Sequence, residues 1–297
     1  MARLAYLGTP DMAVAPLRAL LGAGHEITLC VTRPDRRRSR GNAASPSPVK
    51  EAATELGLPV TDEVAELARS DAELAVVVAY GRIIPTTLLD QLPMVNLHFS
   101  LLPRWRGAAP VERAILAGDS ETGVCLMKVE AGLDTGPVYA TRRVRLDEDA
   151  YLPAVRAQLV DVGCTMIVEA LAQGLAGLPS PKPQHGDPTM AAKITKEDLH
   201  LVWPEPARQL HRVVRLGQAW TTFRSRRLRI LEADVGTPPD PGHPAAPPPG
   251  TLLGTTVTTG LGTLRLLRVQ PESRGPMSAD EWLRGAHSSV GERLGSD

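Results

Sequence analysis

The sequence predicts an α/β protein in parts: an open-sheet domain over residues 1–185, a linker over 186–206 and a small β-barrel over 207–297. Three observations carry that reading. Strand and helix signals alternate through the first half, as they do in chains that build a largely parallel sheet. The stretch ELAVVVAY, Glu73 to Tyr80, has an unbroken apolar middle, which suits a strand covered on both faces. Past the polar run PKPQHGDPTMAAKITKED the pattern changes to short strands separated by turns.

Taken in order, RLAYL (Arg3 to Leu7) is a short buried strand that GTP turns. Met12, Leu17, Leu20 and Leu21 mark a helix ending at Gly24, and EITLCVT from Glu26 is the second strand, which makes a βαβ start. Ser47 and Pro48 read as N-cap and first-turn proline of the helix VKEAATEL. After ELAVVVAY come a short helix near Thr86 to Gln91 and the strand MVNLH, and then ETGVCLMKV and PVYATRRVRL, two strands flanking the loop EAGLDTG. A long helix follows, with Leu152, Val155, Leu159, Val162 and Met166 at three- and four-residue spacing. In the tail, AWTTFRSRRLRILEADV, GTLLGTTV and GTLRLLRVQP supply the barrel strands, and TPPDPGHPAAPPPG (Thr237 to Gly250) is a solvated proline-rich excursion between two of them. Ser278 and Glu281 form a capping box that opens a short last helix.

Composition narrows the function classes. At 297 residues, 43% hydrophobic and 22% charged, the chain is an ordinary globular protein with room for two domains. No apolar run is long enough to span a membrane, and MARLAYLGTPD turns too early for a signal peptide, so the expected location is cytoplasmic. Three isolated cysteines, Cys30, Cys125 and Cys164, offer neither a metal site nor a disulfide framework. The net charge is zero, but residues 207–297 hold 12 Arg and no Lys against 8 acidic residues, an excess that favours a polyanionic partner.

The chemistry centres on VNLHFSLLPRWRGAAP, Val95 to Pro110. Residues two apart on a strand share a face, so Asn96 and His98 project together near the strand's C-terminal end, where open α/β sheets place their ligands. An amide donor beside an imidazole suits a developing oxyanion. Asp134, on the glycine-flanked loop after the following strand, is the natural acid to orient His98. Two other readings fail. DTG at Asp134 to Gly136 matches an aspartic-protease tripeptide, but that chemistry needs two carboxylates sharing a proton. LGTPDMA sits where a dinucleotide fingerprint would be, with one glycine instead of three.

The motifs GTPDMA, SPVKEAA, VVVAYGRIIP, NLHFSLLPRWRGAAP, GLDTGPVY and GPMSADEWL, in that order along nearly the whole chain, closely resemble the methionyl-tRNA formyltransferases. The resemblance implies a Rossmann-like open-sheet domain joined to an OB-like barrel. It also implies a formyl group moved from 10-formyltetrahydrofolate to the α-amine of initiator methionyl-tRNA, without a metal. It maps the catalytic residues onto Asn96, His98 and Asp134. It lays the folate against Val78, Ala79, Tyr80 and Gly81 and against Leu133, Thr135 and Gly136, with Ser100, Leu101, Leu102 and Pro103 shaping the floor.

For tRNA, the resemblance points to the basic loop RPDRRRSRG, where Arg40 aligns with the family's important arginine and Arg36, Arg37 and Arg38 stand beside it. Arg104 and Arg106 adjoin the catalytic strand, and Arg227 and Arg229 share one strand face of the barrel. The chain departs from the family at Phe99 and Val202 and at the start of the barrel. An alternative reading of the same folate chemistry is transfer to a nucleotide-linked amino sugar. No feature marks a membrane or protein partner, and a monomer is expected.

Overall fold

A computed structural model describes residues 1–35, 45–236, 247–289 and 291–296. Its contacts divide the chain into two units. The first holds residues 1–111, 120–146 and 153–192, and the second holds 112–119, 147–152 and 193–297.

The first unit is built on seven strands: β1 (Arg3–Gly8), β2 (Glu26–Val31), β3 (Val60–Thr61), β4 (Leu74–Val78), β5 (Met94–His98), β7 (Glu121–Lys128) and β8 (Val138–Arg145). A further strand, β6 (Arg106–Gly107), lies off this sheet and pairs with β9 (Met190–Ala191). The order across the sheet is β3-β2-β1-β4-β5-β7-β8. The first five strands run parallel, and β7 and β8 are antiparallel additions. Every residue of β4 is buried, as expected for a strand covered on both faces. One face packs Ala5, Leu7, Val31, Ala75 and Val77 against Leu67, Leu88 and Leu92. Strand order reverses between β1 and β4, so the switch point where such sheets hold ligands lies at the C-terminal ends of those two strands, with β5 next to β4.

The helices of this unit are α1 (Val14–Gly22), α2 (Pro48–Glu55), α3 (Thr86–Leu89) and α5 (Leu152–Leu171), with α4 (Pro110–Ala117) shared between the units. Helix α2 starts as its sequence dictates: Ser47 Oγ accepts from the Lys50 amide and Pro48 occupies the first turn. Helix α4 has no counterpart in the sequence reading, although Val111, Ala114 and Ile115 give it an apolar stripe and are buried.

In the second unit α6 (Ala207–Val214) precedes β10 (Trp220–Phe223), β11 (Arg226–Gly236), β12 (Leu252–Leu253), β13 (Thr256–Thr258), β14 (Thr263–Pro271), β15 (Met277–Ser278) and α7 (Ala279–Ala286). The strands form one antiparallel sheet in the order β10-β11-β14-β13-β12, with β15 on β14. Arg224 and Ser225 both have positive φ, +50° and +57°, the geometry of a two-residue hairpin turn that matches strand twist. Helix α6 buries Leu210, Val213 and Val214 against Leu228, Ile230 and Leu264 of the sheet. The capping box forms: Ser278 Oγ accepts from the Glu281 amide, and the Glu281 carboxylate accepts from the Ser278 amide. Buried Arg215 donates to the carbonyls of Ala150 (2.8 Å) and Asp147 (2.7 Å), which ties 147–152 into this unit.

Candidate active site

Strand β5 lies between β4 and β7 and alternates its side chains across the sheet, so Asn96 and His98 fall on the same face. Asn96 is half-buried and His98 is 5% exposed. His98 Nε2 lies 2.8 Å from the Trp105 carbonyl oxygen. A carbonyl can only accept, so Nε2 carries a proton and the Nδ1 edge is the one turned toward chemistry. Asp134 Oδ2 lies 3.6 Å from that Nδ1, a separation that makes the contact electrostatic and not a formed hydrogen bond. The same Oδ2 accepts from the Gly107 amide at 2.9 Å, which fixes the carboxylate independently of the histidine.

The route by which Asp134 reaches His98 is less direct than the sequence suggests. Because β7 is antiparallel, it ends with Lys128 opposite Val95, three residues before His98. The loop that follows must turn back along β5, over about 10 Å at strand rise, to bring its acid to the imidazole. Asp134 itself takes φ +50°, a left-handed conformation that aspartate tolerates better than most residues. At Gly136 a Cβ would sit 2.0 Å from the Lys128 carbonyl oxygen, so the return needs glycine there. Gln184 then pins the turn: its Nε2 donates to the carbonyls of Asp134 and Gly136, both at 2.8 Å. Its Oε1 accepts Nε and Nη2 of Arg106 at 3.1 and 2.7 Å.

The opposite wall is the loop after β5. Ser100 is fully buried and its Oγ donates to the Arg104 carbonyl at 2.6 Å. Trp105 has φ +63° and its amide donates to Thr189 Oγ1 at 2.9 Å, while the Arg106 amide donates to the Thr189 carbonyl at 2.9 Å. The β6–β9 pairing continues this clamp, and Gly107 is required within it because a Cβ would meet the Ala191 carbonyl oxygen at 2.8 Å. The Arg104 guanidinium lies over the Trp105 ring, 4.4 Å from its centroid.

Val77 pairs with Asn96, so the segment after Val78 leaves β4 at the level of His98. Ala79 and Gly81 have φ of +47° and +75°, and Thr9 Oγ1 donates to the Tyr80 carbonyl at 3.0 Å. Burial pushes the Tyr80 phenol above its ordinary pKa, and Arg82 and Arg33 pull it back. Two large apolar side chains on the flanking loops stay in solvent, Ile83 at 91% and Leu133 at 59% exposure.

The structure thus brings His98 and Asp134 together, with Asn96 on the face they share and Val78 to Gly81 beside them. Thr135 is exposed and Gly136 buried on the Asp134 loop. Leu101, Leu102 and Pro103 line an open cleft of about 660 Å³ with Thr141, Arg142, Arg143 and His185, and none of Asn96, His98 and Asp134 lines it. Arg106 is committed to Gln184. Arg227 and Arg229 lie on the outer face of β11, where Arg227 covers the Trp220 ring at 5.0 Å and Arg229 donates to Gln270 at 3.2 Å. Arg36, Arg37, Arg38 and Arg40 lie outside the described residues, as does most of the proline-rich excursion. Gln184, Thr189 and Gly107 were not singled out from sequence: Gln184 and Thr189 sit in a polar run across the junction of the expected sheet domain and linker, with no local signal of long-range contact. Among the described residues no group of three or more His, Cys, Asp or Glu side chains could hold a metal ion, and no helix is long and apolar enough to cross a membrane.

Comparison with known proteins identifies the family. Residues 2–171 match the formyl transferase family, and residues 193–287 match the formyl transferase C-terminal domain. The methionyl-tRNA formyltransferase of Gluconacetobacter diazotrophicus is 43% identical, with 99% of this chain and 100% of that protein covered. Among solved structures, HypX from Aquifex aeolicus in complex with tetrahydrofolic acid shares the fold at a TM-score of 0.67 and 15% identity, over 98% of this chain and 48% of that longer one. The N-formyltransferase from Helicobacter canadensis, in complex with folinic acid and dTDP-3-aminofucose, shares it at a TM-score of 0.63 and 13% identity, over 90% and 99%. With an open mixed sheet carrying the His98–Asp134 pair, an antiparallel C-terminal domain and a relative matched end to end, this chain belongs to the methionyl-tRNA formyltransferase family.

Proposed function

We propose that this chain transfers the formyl group of 10-formyltetrahydrofolate to the α-amine of initiator methionyl-tRNA, giving the formylated species used in translation initiation. The observation that carries the reading is the 43% identity along the full length of both chains to a protein of that name. The site supplies chemistry to match. The amine nitrogen attacks the formyl carbon, and the carbonyl oxygen gains negative charge in the tetrahedral intermediate. Asn96 donates to that oxygen, and Nδ1 of His98, an acceptor while Nε2 donates to the Trp105 carbonyl, takes up the amine proton and then, as imidazolium, donates to the same oxygen; Asn96 and His98 lie on one face of β5. Asp134, held by the Gly107 amide, stabilises the imidazolium and assists removal of the amine proton, directly or through water. The intermediate collapses by breaking the bond from carbon to the folate nitrogen, which takes up a proton. No covalent bond to the protein forms, and no metal is needed.

In this reading the folate lies against Val78, Ala79, Tyr80 and Gly81 and against Leu133, Thr135 and Gly136, where two loops leave apolar side chains uncovered, with Ser100, Leu101, Leu102 and Pro103 supporting the site from the loop after β5. The folate ligands of the HypX and Helicobacter structures support this choice of donor. The tRNA is met by Arg104, by the basic segment containing Arg36, Arg37, Arg38 and Arg40, and by Arg227 and Arg229. On the β-domain the His200 and Trp220 rings lie 4.4 Å apart at a tilt of 38° and the Arg227 guanidinium lies 5.0 Å from the Trp220 centroid, a combination suited to bases and phosphates. The enzyme then works as a monomer in the cytoplasm beside the translation machinery. The test is incubation with 10-formyltetrahydrofolate and charged initiator methionyl-tRNA, elongator methionyl-tRNA or a nucleotide-linked amino sugar. Formylation of the initiator species in strong preference is expected; formylation of the amino sugar alone would overturn the reading.

A further inference from the structure

We infer that Gln184, braced by Arg106, is a positioning residue that holds Asp134 in register with His98. The inference rests on the proposed role of Asp134 and adds a residue from the polar run at the end of the expected sheet domain.

The geometry assigns every polar atom of the Gln184 amide. Nε2 donates at 2.8 Å to two carbonyls, those of Asp134 and Gly136, which bracket the turn on either side of Thr135. Oε1 receives two N–H groups of one guanidinium, Arg106 Nε at 3.1 Å and Nη2 at 2.7 Å. Only one orientation of the amide satisfies this set, because a carbonyl cannot face carbonyls and an NH2 cannot face a guanidinium. Arg106 in turn belongs to β6, and the amide of its neighbour Gly107 donates to the Asp134 carboxylate at 2.9 Å. The Asp134 loop is therefore gripped twice from the Arg106–Gly107 pair, at its backbone through Gln184 and at its acid through the Gly107 amide. The backbone grip is what holds the left-handed φ of +50° at Asp134 against relaxation. With the carboxylate already 3.6 Å from Nδ1, a shift of about 1 Å would uncouple acid from imidazole, and misplacements of that size cost about a hundredfold in rate. Arg106, whose place beside the catalytic strand suggested an RNA contact, thus has a ligand within the protein.

The experiment is a set of rate measurements on the full chain with 10-formyltetrahydrofolate and charged initiator tRNA, in Gln184→Met, Gln184→Glu and Arg106→Leu, each alone and combined with Asp134→Asn. Gln184→Met keeps the length of the side chain and removes both functions. Gln184→Glu keeps an acceptor for Arg106 but turns oxygen toward the two carbonyls. Both should lower kcat about tenfold or more while KM for the tRNA changes by less than about twofold. In the Asp134→Asn background neither should lower the rate further, because each acts through that acid. If Gln184→Met does not fold, Arg106→Leu, which spares both donations of Gln184, carries the same cycle with a loss of about threefold to tenfold. A Gln184→Glu enzyme as fast as the parent, or losses that multiply fully with Asp134→Asn, would reduce Gln184 to a structural brace and overturn the inference. Near-normal turnover in Asp134→Asn alone would instead remove the catalytic reading on which it stands.

Discussion

The polar groups around His98 and the arginines on the β-domain sheet are held in opposite ways. At the site, His98 and Ser100 are 5% and 0% exposed, and their partners are backbone carbonyls at fixed distances. On the sheet, Arg226, Arg265 and Arg268 have side chains 72%, 57% and 53% exposed, each paired with a carboxylate about half exposed. Exposed pairs of that kind contribute little to stability and exchange readily, so the cations can trade carboxylates for phosphates. Backbone partners do not exchange. One region is built to keep a few atoms still through a reaction, and the other offers charge that a partner can rearrange.

Substitutions should expose that contrast, beginning where fixed geometry matters most. Asn96→Ala and His98→Ala should each lower turnover about a hundredfold or more, with folate affinity little changed. Asp134→Ala acts on the same step, so its combination with His98→Ala should fall well short of additive. Near-normal turnover in either single variant would break the assignment. Gly136→Ala should come next. Its new Cβ meets backbone, the Lys128 carbonyl oxygen at 2.0 Å, so the Asp134 loop must move, and kcat should drop about tenfold or more with no polar group deleted. An unchanged kcat would show that the loop tolerates displacement.

The β-domain should respond more gently. For tRNA binding, the slope of log affinity against log salt should flatten by about 1 for each of Arg227→Ala and Arg229→Ala, with kcat at saturating tRNA unaffected. A slope that ignores both changes would move the RNA surface elsewhere. The smallest effect is one of pH. His211, 5% exposed on α6, has its pKa lowered by burial, with Arg215 adding to this and Asp149 and Asp234 opposing it. The unfolded chain then takes up a proton that the folded chain resists, so stability is fully present above about pH 6.5 and is lost as pH falls through that value toward the lowered one. His211→Gln should flatten the decline in melting temperature over that window, and an unaltered decline would assign it to other groups.

The sequence shows most of the sheet because burial on both faces leaves a continuous apolar run, as in Leu74 to Val78, and because caps such as Ser47 and Ser278 act within three residues. Asn96 and His98 are legible for the same local reason, a period of two on a recognisable strand. What stays hidden is made by distance. Arg106 meets Gln184 across 78 residues and Trp105 meets Thr189 across 84, and nothing near either end announces the other. The backward course of the Asp134 loop depends on β7 being antiparallel, which its apolar residues do not encode. Helix α6 is a different kind of miss, since Leu210, Val213 and Val214 carry a readable stripe.

The two-residue pairing of β6 with β9 also sets an order in time. All seven strands of the main sheet are complete once Arg145 has been synthesised, and α5 closes at Leu171. A growing chain of that length has its imidazole and its acid but lacks Gln184, Thr189 and Ala191, the residues that lock the two loops around them. Closing so wide a loop is a late and slow event compared with neighbouring-strand contacts. During synthesis His98 and Asp134 therefore remain unlocked until the chain has passed residue 191, just before residues 193–297, the largest segment of the second unit, begin.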